Sequence, residues 1–257
     1  MAAAPLPTKR RAARRDAALR AAADKAIAVA NSLTDEAFVS AYIQPSESSW
    51  PTWTHPRTRE PHAVSLRSPG HMPATELAAC LALIERTSGD DYRAGGGWDP
   101  AAKAAEMRSR GLRYVLVRHP DDGGEVRGFA SFMFTWEDDR PVVYCYEIHL
   151  APELEGTGLG ALLMGHVMAV AGRVGGMTGT MLTCFVTNER ARRFYERLGF
   201  VVDASSPRPR RLRDRVVEPA YVIMSRPTTT TEGSGGVDDV PPDEVDGHRE
   251  KRARKST

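Results

Sequence analysis

The sequence predicts an α/β fold: a mixed, twisted sheet flanked by helices, with an added helical segment on its N-terminal side. Three observations carry this. Val142-Val143-Tyr144-Cys145-Tyr146-Glu147-Ile148-His149-Leu150 reads as a strand; Glu155-Gly156-Thr157-Gly158-Leu159-Gly160 then turns the chain directly into a helix. Upstream, residues 113–118 and 126–134 read as strands joined by the turn Asp121-Asp122-Gly123-Gly124, which predicts an antiparallel meander. Downstream, helix, strand and helix alternate, the pattern of crossovers onto a sheet.

Taken in order, residues 8–31 are alanine-rich, and Leu19, Ala22, Ala26, Ile27 and Ala30 form one weakly apolar stripe. Residues 1–35 are therefore expected as a basic helical segment, and 36–75 as a loop-rich connection with Trp, Pro and Ser between 44 and 61. Leu77, Cys80, Leu81 and Ile84 stand at helical spacing in 76–87. Asp99-Pro100 opens a helix to about residue 110, Asp as N-cap and Pro at the first position. A hairpin at about 137–141 returns the chain into the 142–150 strand, and the helix after the glycine turn runs to about 171. Residues 178–185 form the next strand, and Asn188 caps a helix that Gly199 stops after Leu198. Residues 200–202 and 221–224 pair as a last hairpin around the Arg/Pro-rich insertion 205–219. The main domain spans 76–227, and 228–257, without aromatics, reads as a disordered tail.

Composition narrows the classes. At 257 residues and net charge +2, bulk electrostatics do not announce a nucleic-acid binder. Basic clusters stand at both ends, Lys9-Arg10-Arg11 with Arg14-Arg15, and Lys251-Arg252-Ala253-Arg254-Lys255; a nuclear address and plain solvated charge are both open. Cys80, Cys145 and Cys184 are too few and too far apart for a disulfide framework or a zinc pair, which fits a reducing compartment. No apolar run is long enough for a bilayer, and no signal-peptide core follows the basic start. The Ala/Arg-rich start is like a transit peptide in its scarcity of acids, but serine is rare there and Asp16 and Asp24 interrupt it.

The glycine turn carries the chemistry. Unpaired N–H groups and the positive dipole end at a helix N-terminus seat phosphate or pyrophosphate, and the preceding strand brings two phenols and the carboxylate of Glu147 to the same edge. A dinucleotide fold would need a parallel start and an acid about 20 residues on, and a P-loop would need a lysine. Neither is found. If the strand is regular, Tyr144 and Tyr146 share a face with Val142, Ile148 and Leu150, while His149, expected as a packing histidine, points with Cys145 and Glu147.

The run Glu155-x-x-Gly158-x-Gly160, helix, strand, Asn188-Glu189-Arg190-Ala191-Arg192-Arg193-Phe194-Tyr195 and Leu198-Gly199-Phe200 resembles the GNAT acetyltransferase superfamily. Over residues 76–226, Tyr144-Cys145-Tyr146-Glu147, Met181-Leu182-Thr183, Ser205-Ser206-Pro207 and the segment from Tyr221 to Ser225-Arg226 are similar to the N-alpha-acetyltransferase D family. The resemblance implies a GNAT fold, acetyl-CoA as co-substrate and no metal. It implies acetyl transfer to the N-terminal serine amine of histones of the four and two-A types, which begin Ser-Gly-Arg-Gly. By the same resemblance, backbone of Ile148, His149 and Leu150 serves the pantetheine, and Gly156, Thr157, Gly158, Leu159, Gly160 and Ala161 wrap the pyrophosphate. Thr183, Asn188, Ser205 and Tyr221 line the CoA side; Tyr92, Trp98, Thr135, Glu137 and Tyr146 face the peptide.

A free α-amine titrates near 7.7–8.0, so a modest general base suffices. Glu147 is the candidate base, Tyr146 a proton relay, and Tyr221 a donor to the thioester oxygen or thiolate. The acids Glu137, Asp138 and Asp139 suit an arginine arriving two residues after the amine, although they also fit a solvated turn. Histone N-terminal tails are the expected protein partner, with no nucleic acid required, no membrane, a monomeric state, and a nuclear and cytoplasmic address. Three departures from the family are visible. Glu155 replaces Gln or Arg, Thr135 replaces Asp, and Gly95-Gly96-Gly97-Trp98 is one residue short. Acetylation of a lysine, a ribosomal N-terminus or a polyamine, or a non-catalytic acyl-CoA module on chromatin, stand as alternatives.

Overall fold

The computed structural model describes residues 8–44, 50–95, 97–119, 125–213 and 215–228. Its strands are β1 (Thr52–Thr54), β2 (Pro61–Arg67), β3 (Arg113–Arg118), β4 (Val126–Glu137), β5 (Arg140–Leu150), β6 (Gly179–Phe185), β7 (Val201–Val202), β8 (Arg210–Leu212), β9 (Arg215–Val217) and β10 (Tyr221–Pro227). Its helices are α1 (Thr8–Ser32), α2 (Asp35–Phe38), α3 (Ala74–Gly95), α4 (Pro100–Glu106), α5 (Leu159–Arg173) and α6 (Glu189–Arg197). Eight strands make one sheet in the order β1-β2-β3-β4-β5-β6-β10-β7. Every pairing is antiparallel except β5 with β6, joined by the crossover through α5.

Side chains alternate across this sheet, so each face buries its own core. Val115 and Val117 of β3, with Ala130, Phe132 and Phe134 of β4, pack beneath α5 and α1. Their neighbours Tyr114, Leu116 and Phe129 pack beneath α3, with Leu77, Cys80, Leu83 and Ile84.

The N-terminal helix docks by smaller contacts than its expected stripe suggests. Ala23 and Ala30 are buried, but Leu19 is 59% exposed. A Cβ on Gly176 would stand 3.0 Å from the Ala23 methyl, so the helix approaches closely there. A buried polar clamp then fixes its C-terminus. The Arg113 guanidinium donates to the carbonyls of Ala30 (3.1 Å) and Leu33 (3.0 Å) and to Asp35 Oδ1 (2.9 Å), and lies 4.0 Å over the Phe38 ring. Carbonyls at a helix end lack intrahelical donors, and the guanidinium supplies them.

Four elements depart from expectation. The 36–75 stretch is no loop-rich connection: it holds α2, a π-turn at Val39–Ile43, β1, and β2, which pairs β3 along its length, so the sheet starts before residue 76. α3 runs on to Gly95 rather than ending at 87, because Tyr92 in its last turns packs 5.1 Å from Phe185 and 5.3 Å from Trp98. That tertiary contact outweighs the helix cost of Gly89. α4 stops at Glu106. Within the 205–219 insertion, β8 and β9 form their own hairpin. The last hairpin forms, with β10 seated between β6 and β7. Thr228 still donates its N–H to the Thr178 carbonyl at 3.0 Å. The 121–124 turn, the basic cluster 251–255 and the rest of the tail from 229 lie outside the described residues. Among those described, no helix is long and apolar enough to cross a membrane.

His166 on α5 makes stability pH-dependent. Burial, with Arg173 a lesser cause, lowers its imidazole to about 4, and Trp50 packs edge-on at 5.7 Å. The unfolded chain binds this proton near 6.5 and the folded chain only near 4, so stability is full above 6.5 and is lost as pH falls toward 4. Unfolding free energy is expected to drop by about 3 kcal/mol over that window relative to His166→Phe. Parallel urea titrations of the two proteins at pH 7 and pH 4.5 measure the difference; equal losses would contradict it.

Candidate active site

One extra residue in β5 builds the site. Phe132 pairs Cys145 and Ser131 pairs Glu147, leaving Tyr146 as a bulge. The face therefore switches within three residues. Cys145 points toward α5, its Sγ 3.8 Å from Met164 Sδ, whereas Glu147 points to α3 and α4. The regular strand expected from the sequence would have put Cys145, Glu147 and His149 together. Instead Glu147 and His149 share the α3 face, while Ile148 and Leu150 join Val143 and Cys145 against the α5 core.

The same point is where two strands part. β5 and β6 pair in parallel from Val142–Gly179 to Cys145–Leu182 and no further. Beyond it a cavity of about 350 Å³ opens, lined by Tyr92, Tyr146, Glu147, Ile148, His149, Thr183, Cys184, Asn188 and Tyr221 among others. Unpaired backbone on a splayed strand edge can hydrogen-bond an amide-bearing arm. At the far end of β5, Gly156 (φ 69°) and Gly158 (φ 87°) hold left-handed backbone, and α5 begins with no side-chain cap. No atom lies within 4 Å of a Cβ built on either glycine, so the turn has an open concave side at the start of α5, where the Leu159 N–H reaches the Thr157 hydroxyl at 3.4 Å. These residues fit a ligand with a peptide-like arm and a pyrophosphate. Gly160 lies tighter, since a Cβ built on it would stand 3.4 Å from the Phe194 ring. The acid at Glu155 is neutralised by an ion pair with Arg190.

Glu147 is 7% exposed and holds three donors. Tyr92 Oη (2.8 Å) and Lys103 Nζ (2.9 Å) donate to Oε1, and His149 Nε2 stands 2.6 Å from Oε2. Burial pushes this carboxyl up, but the His149 hydrogen bond and the charges of His149 and Lys103 outweigh it and hold Glu147 below the ordinary value. Lys103 also bridges to Glu106 at 2.9 Å and lies 4.8 Å over the Tyr92 ring; despite burial, Glu147 holds its ammonium above the ordinary lysine value. Burial, then Glu147, pushes the Tyr92 phenol up. Glu147 is thus an ionised acceptor with one of its four lone-pair positions left, on Oε2.

The other expected residues are placed as follows. Tyr146, 38% exposed, stands at the bulge with Tyr144 at 5.4 Å; burial first, then Glu106 and Glu137, raises its phenol. Thr183 Oγ1 is 2.6 Å from Tyr144 Oη, and Asn188 Oδ1 accepts from Ala191 N at 2.9 Å as the cap of α6. Trp98 packs on Tyr92, with its indole N–H buried and unpartnered. Thr135 and Glu137 lie near the hairpin end of β4. Asp138 and Asp139 form the hairpin turn at φ 46° and 59°, and Asp139 is tied to Arg20 at 2.8 Å. Ser205 does not line the cavity: its hydroxyl donates to Asp203 Oδ1 at 2.7 Å, beside the Arg140 ion pair. Lys103, Glu106 and Thr87 were not foreseen; in the sequence, Lys103 and Glu106 look like an ordinary exposed helix pair.

A left-handed glycine turn, an uncapped crossover helix and splayed parallel strands define an α/β domain for an anionic ligand with an extended arm. Residues 80–200, a little under half of the chain, match the acetyltransferase (GNAT) family model, and the mixed sheet flanked by helices is the α/β arrangement expected of the GNAT fold. The chain is similar to N-alpha-acetyltransferase 40 of Saccharomyces cerevisiae, 38% identical over 157 residues, covering 52% of this chain and 54% of that protein. It is also similar to 5-NmdU N-acetyltransferase of Pseudomonas phage PaMx11, 40% identical over 85 residues, 32% of this chain and 55% of the other. The chain thus spans about half the length of these relatives. Arabidopsis thaliana NAA60 in complex with a bisubstrate analogue superposes with a TM-score of 0.48 at 11% identity, over 66% of this chain and 100% of that one.

Proposed function

We propose that this protein is an acetyl-CoA-dependent N-alpha-acetyltransferase that modifies the N-terminal serine of proteins beginning Ser-Gly-Arg-Gly, the start of histones of the four and two-A types. The observation that carries the reading is the cavity itself. It opens where β5 and β6 part, and Tyr146, Glu147 and Tyr221 line it together. Similarity to a yeast N-alpha-acetyltransferase supports the choice of a terminal amine over other amines.

Acetyl-CoA, when bound, supplies an activated acetyl thioester. The chain's own residues do the rest. Backbone of Ile148 to Leu150 on the unpaired edge holds an amide arm, and the N–H groups from Gly156 to Ala161 hold phosphate oxygens. Glu147 Oε2, ionised and with one acceptor position left, takes a hydrogen bond from the amine or an intervening water. Tyr146 keeps its proton at neutral pH and can donate it; Tyr221, on the same cavity, offers a second phenol. Glu106 and Glu137 both act on Tyr146, which makes the mouth acidic and favours a cationic third residue. Of the three hairpin acids, Glu137 is the one that acts on Tyr146, while Asp139 is held by Arg20. With such a substrate, we infer a working address in the nucleus and cytoplasm, a monomer, and no need for nucleic acid.

Mass spectrometry of Ser-Gly-Arg-Gly-Lys peptides, one free and one N-terminally blocked, tests the reading. Only the free peptide is expected to gain one acetyl group, on its α-amine. Replacing its arginine by alanine is expected to lower kcat/KM about tenfold, the worth of roughly 1.4 kcal/mol. Acetylation of the blocked peptide would make the protein a lysine enzyme, and acetylation of neither would remove this substrate class.

A further inference from the structure

Behind Glu147, one proton has two ways to be arranged. His149 Nδ1 lies 2.6 Å from Thr87 Oγ1, and Thr87 Oγ1 also lies 2.8 Å from the Leu83 carbonyl one turn earlier in α3. A hydroxyl has a single hydrogen. While Thr87 gives it to Leu83, its oxygen must accept from Nδ1–H; with Nε2 facing Glu147 Oε2 at 2.6 Å, both ring nitrogens donate and the ring is an imidazolium. When Thr87 turns its hydrogen to Nδ1, the ring is neutral and keeps its one hydrogen on Nε2, still donating to Glu147. No heavy atom has to move between the two forms.

The surroundings leave this ring as the group able to switch. Phe129 of β4 covers it at 5.6 Å. From α3 and α4, Tyr92 and Lys103 meet the same carboxylate, and their protons are held more firmly than usual. On β3 Tyr114, on α3 Cys80 and on α6 Tyr195 are buried and stay neutral, since burial raises all three. Histidine is the side chain whose charge ordinarily changes between pH 5 and 8.

We propose that His149 is a positioning residue that sets how strongly Glu147 can accept the substrate's proton, with the Thr87 hydroxyl as the rotor that accommodates both charge states. The inference rests on the acetyl-transfer reading above and deepens it. As an imidazolium, His149 is a second cation on Glu147 beside Lys103, and Oε2 is a poor acceptor. As a neutral ring it leaves Lys103 alone, and Oε2 accepts better. Activity is therefore expected to be greater where the ring is neutral than where it is charged.

His149→Gln keeps a neutral N–H donor to Glu147 but cannot charge. Its ratio of kcat at pH 8 to kcat at pH 6 is expected to fall below that of the unaltered protein by up to about tenfold. A packing role would instead lower kcat alike at both pH values. Independently of turnover, ¹⁵N NMR of the imidazole at fixed pH should report which of the two ring forms is present, and Glu147→Gln should move the balance toward the neutral form. Thr87→Ser should leave that balance in place and Thr87→Val should change it. An unchanged kcat ratio in His149→Gln, or a ring form indifferent to Glu147→Gln, would overturn the inference. If the unaltered protein acetylates no peptide amine, the functional reading fails, and the NMR spectra still decide this one.

Discussion

Methionine in place of Arg113 is expected to lower the unfolding free energy by about 3–5 kcal/mol, because it strands a buried carboxylate. Arg113 and Asp35 are both 4% exposed, and the guanidinium also satisfies the carbonyls of Ala30 and Leu33. Without it, Asp35 keeps the Ser68 N–H at 3.1 Å and His71 at 3.0 Å, but loses its nearest permanent cation. The end of α1 loses two donors at once, so the helix should detach before the sheet unfolds. Urea unfolding followed by circular dichroism measures the loss, and Arg113→Met with Asp35→Leu should recover much of it. A loss under about 1 kcal/mol in the single variant would mean that α1 is held by its other contacts, among them Ala23 and the Arg20–Asp139 pair.

Glu147→Gln is expected to reduce the kcat of acetyl transfer by about 10²–10³, the range of a lost acid–base group. It should also destabilise the fold, since Lys103, its side chain 10% exposed, would keep Glu106 but lose the buried one of its two counter-ions among the described residues. The two effects separate in a double variant. Lys103→Met with Glu147→Gln removes the stranded cation and is expected to regain stability while kcat stays low. Recovery of kcat together with stability would reduce Glu147 to a structural ion-pair partner. Steady-state kinetics and thermal melts on the unaltered protein, the two single variants and the double variant decide between them.

Much of the fold could be read along the chain. The strand that ends in Glu155-x-x-Gly158-x-Gly160 and the helix capped by Asn188 are both present, because each is encoded by residues within one or two turns of each other. Left-handed glycine and a capping amide act locally, so spacing reveals them. The expected end of α3 at residue 87 fell short for the opposite reason. What carries that helix to Tyr92 is Phe185, 93 residues on by the numbering, and local propensity at Gly89 argues against it.

For the site, the sequence by itself determined which kinds of group would be present: a glycine turn for phosphate, a phenol-rich strand, and one carboxylate upon it. Only the tertiary structure decided what that carboxylate is. The bulge at Tyr146 turned Glu147 away from Cys145 and toward α3, where Tyr92, Lys103 and His149 meet it. The basicity of a carboxylate depends on charges within a few ångströms, and these come from residues 44 and 55 positions away as well as from its own strand. Strand periodicity carries no record of such distances, and a single inserted residue reverses the face on which they act.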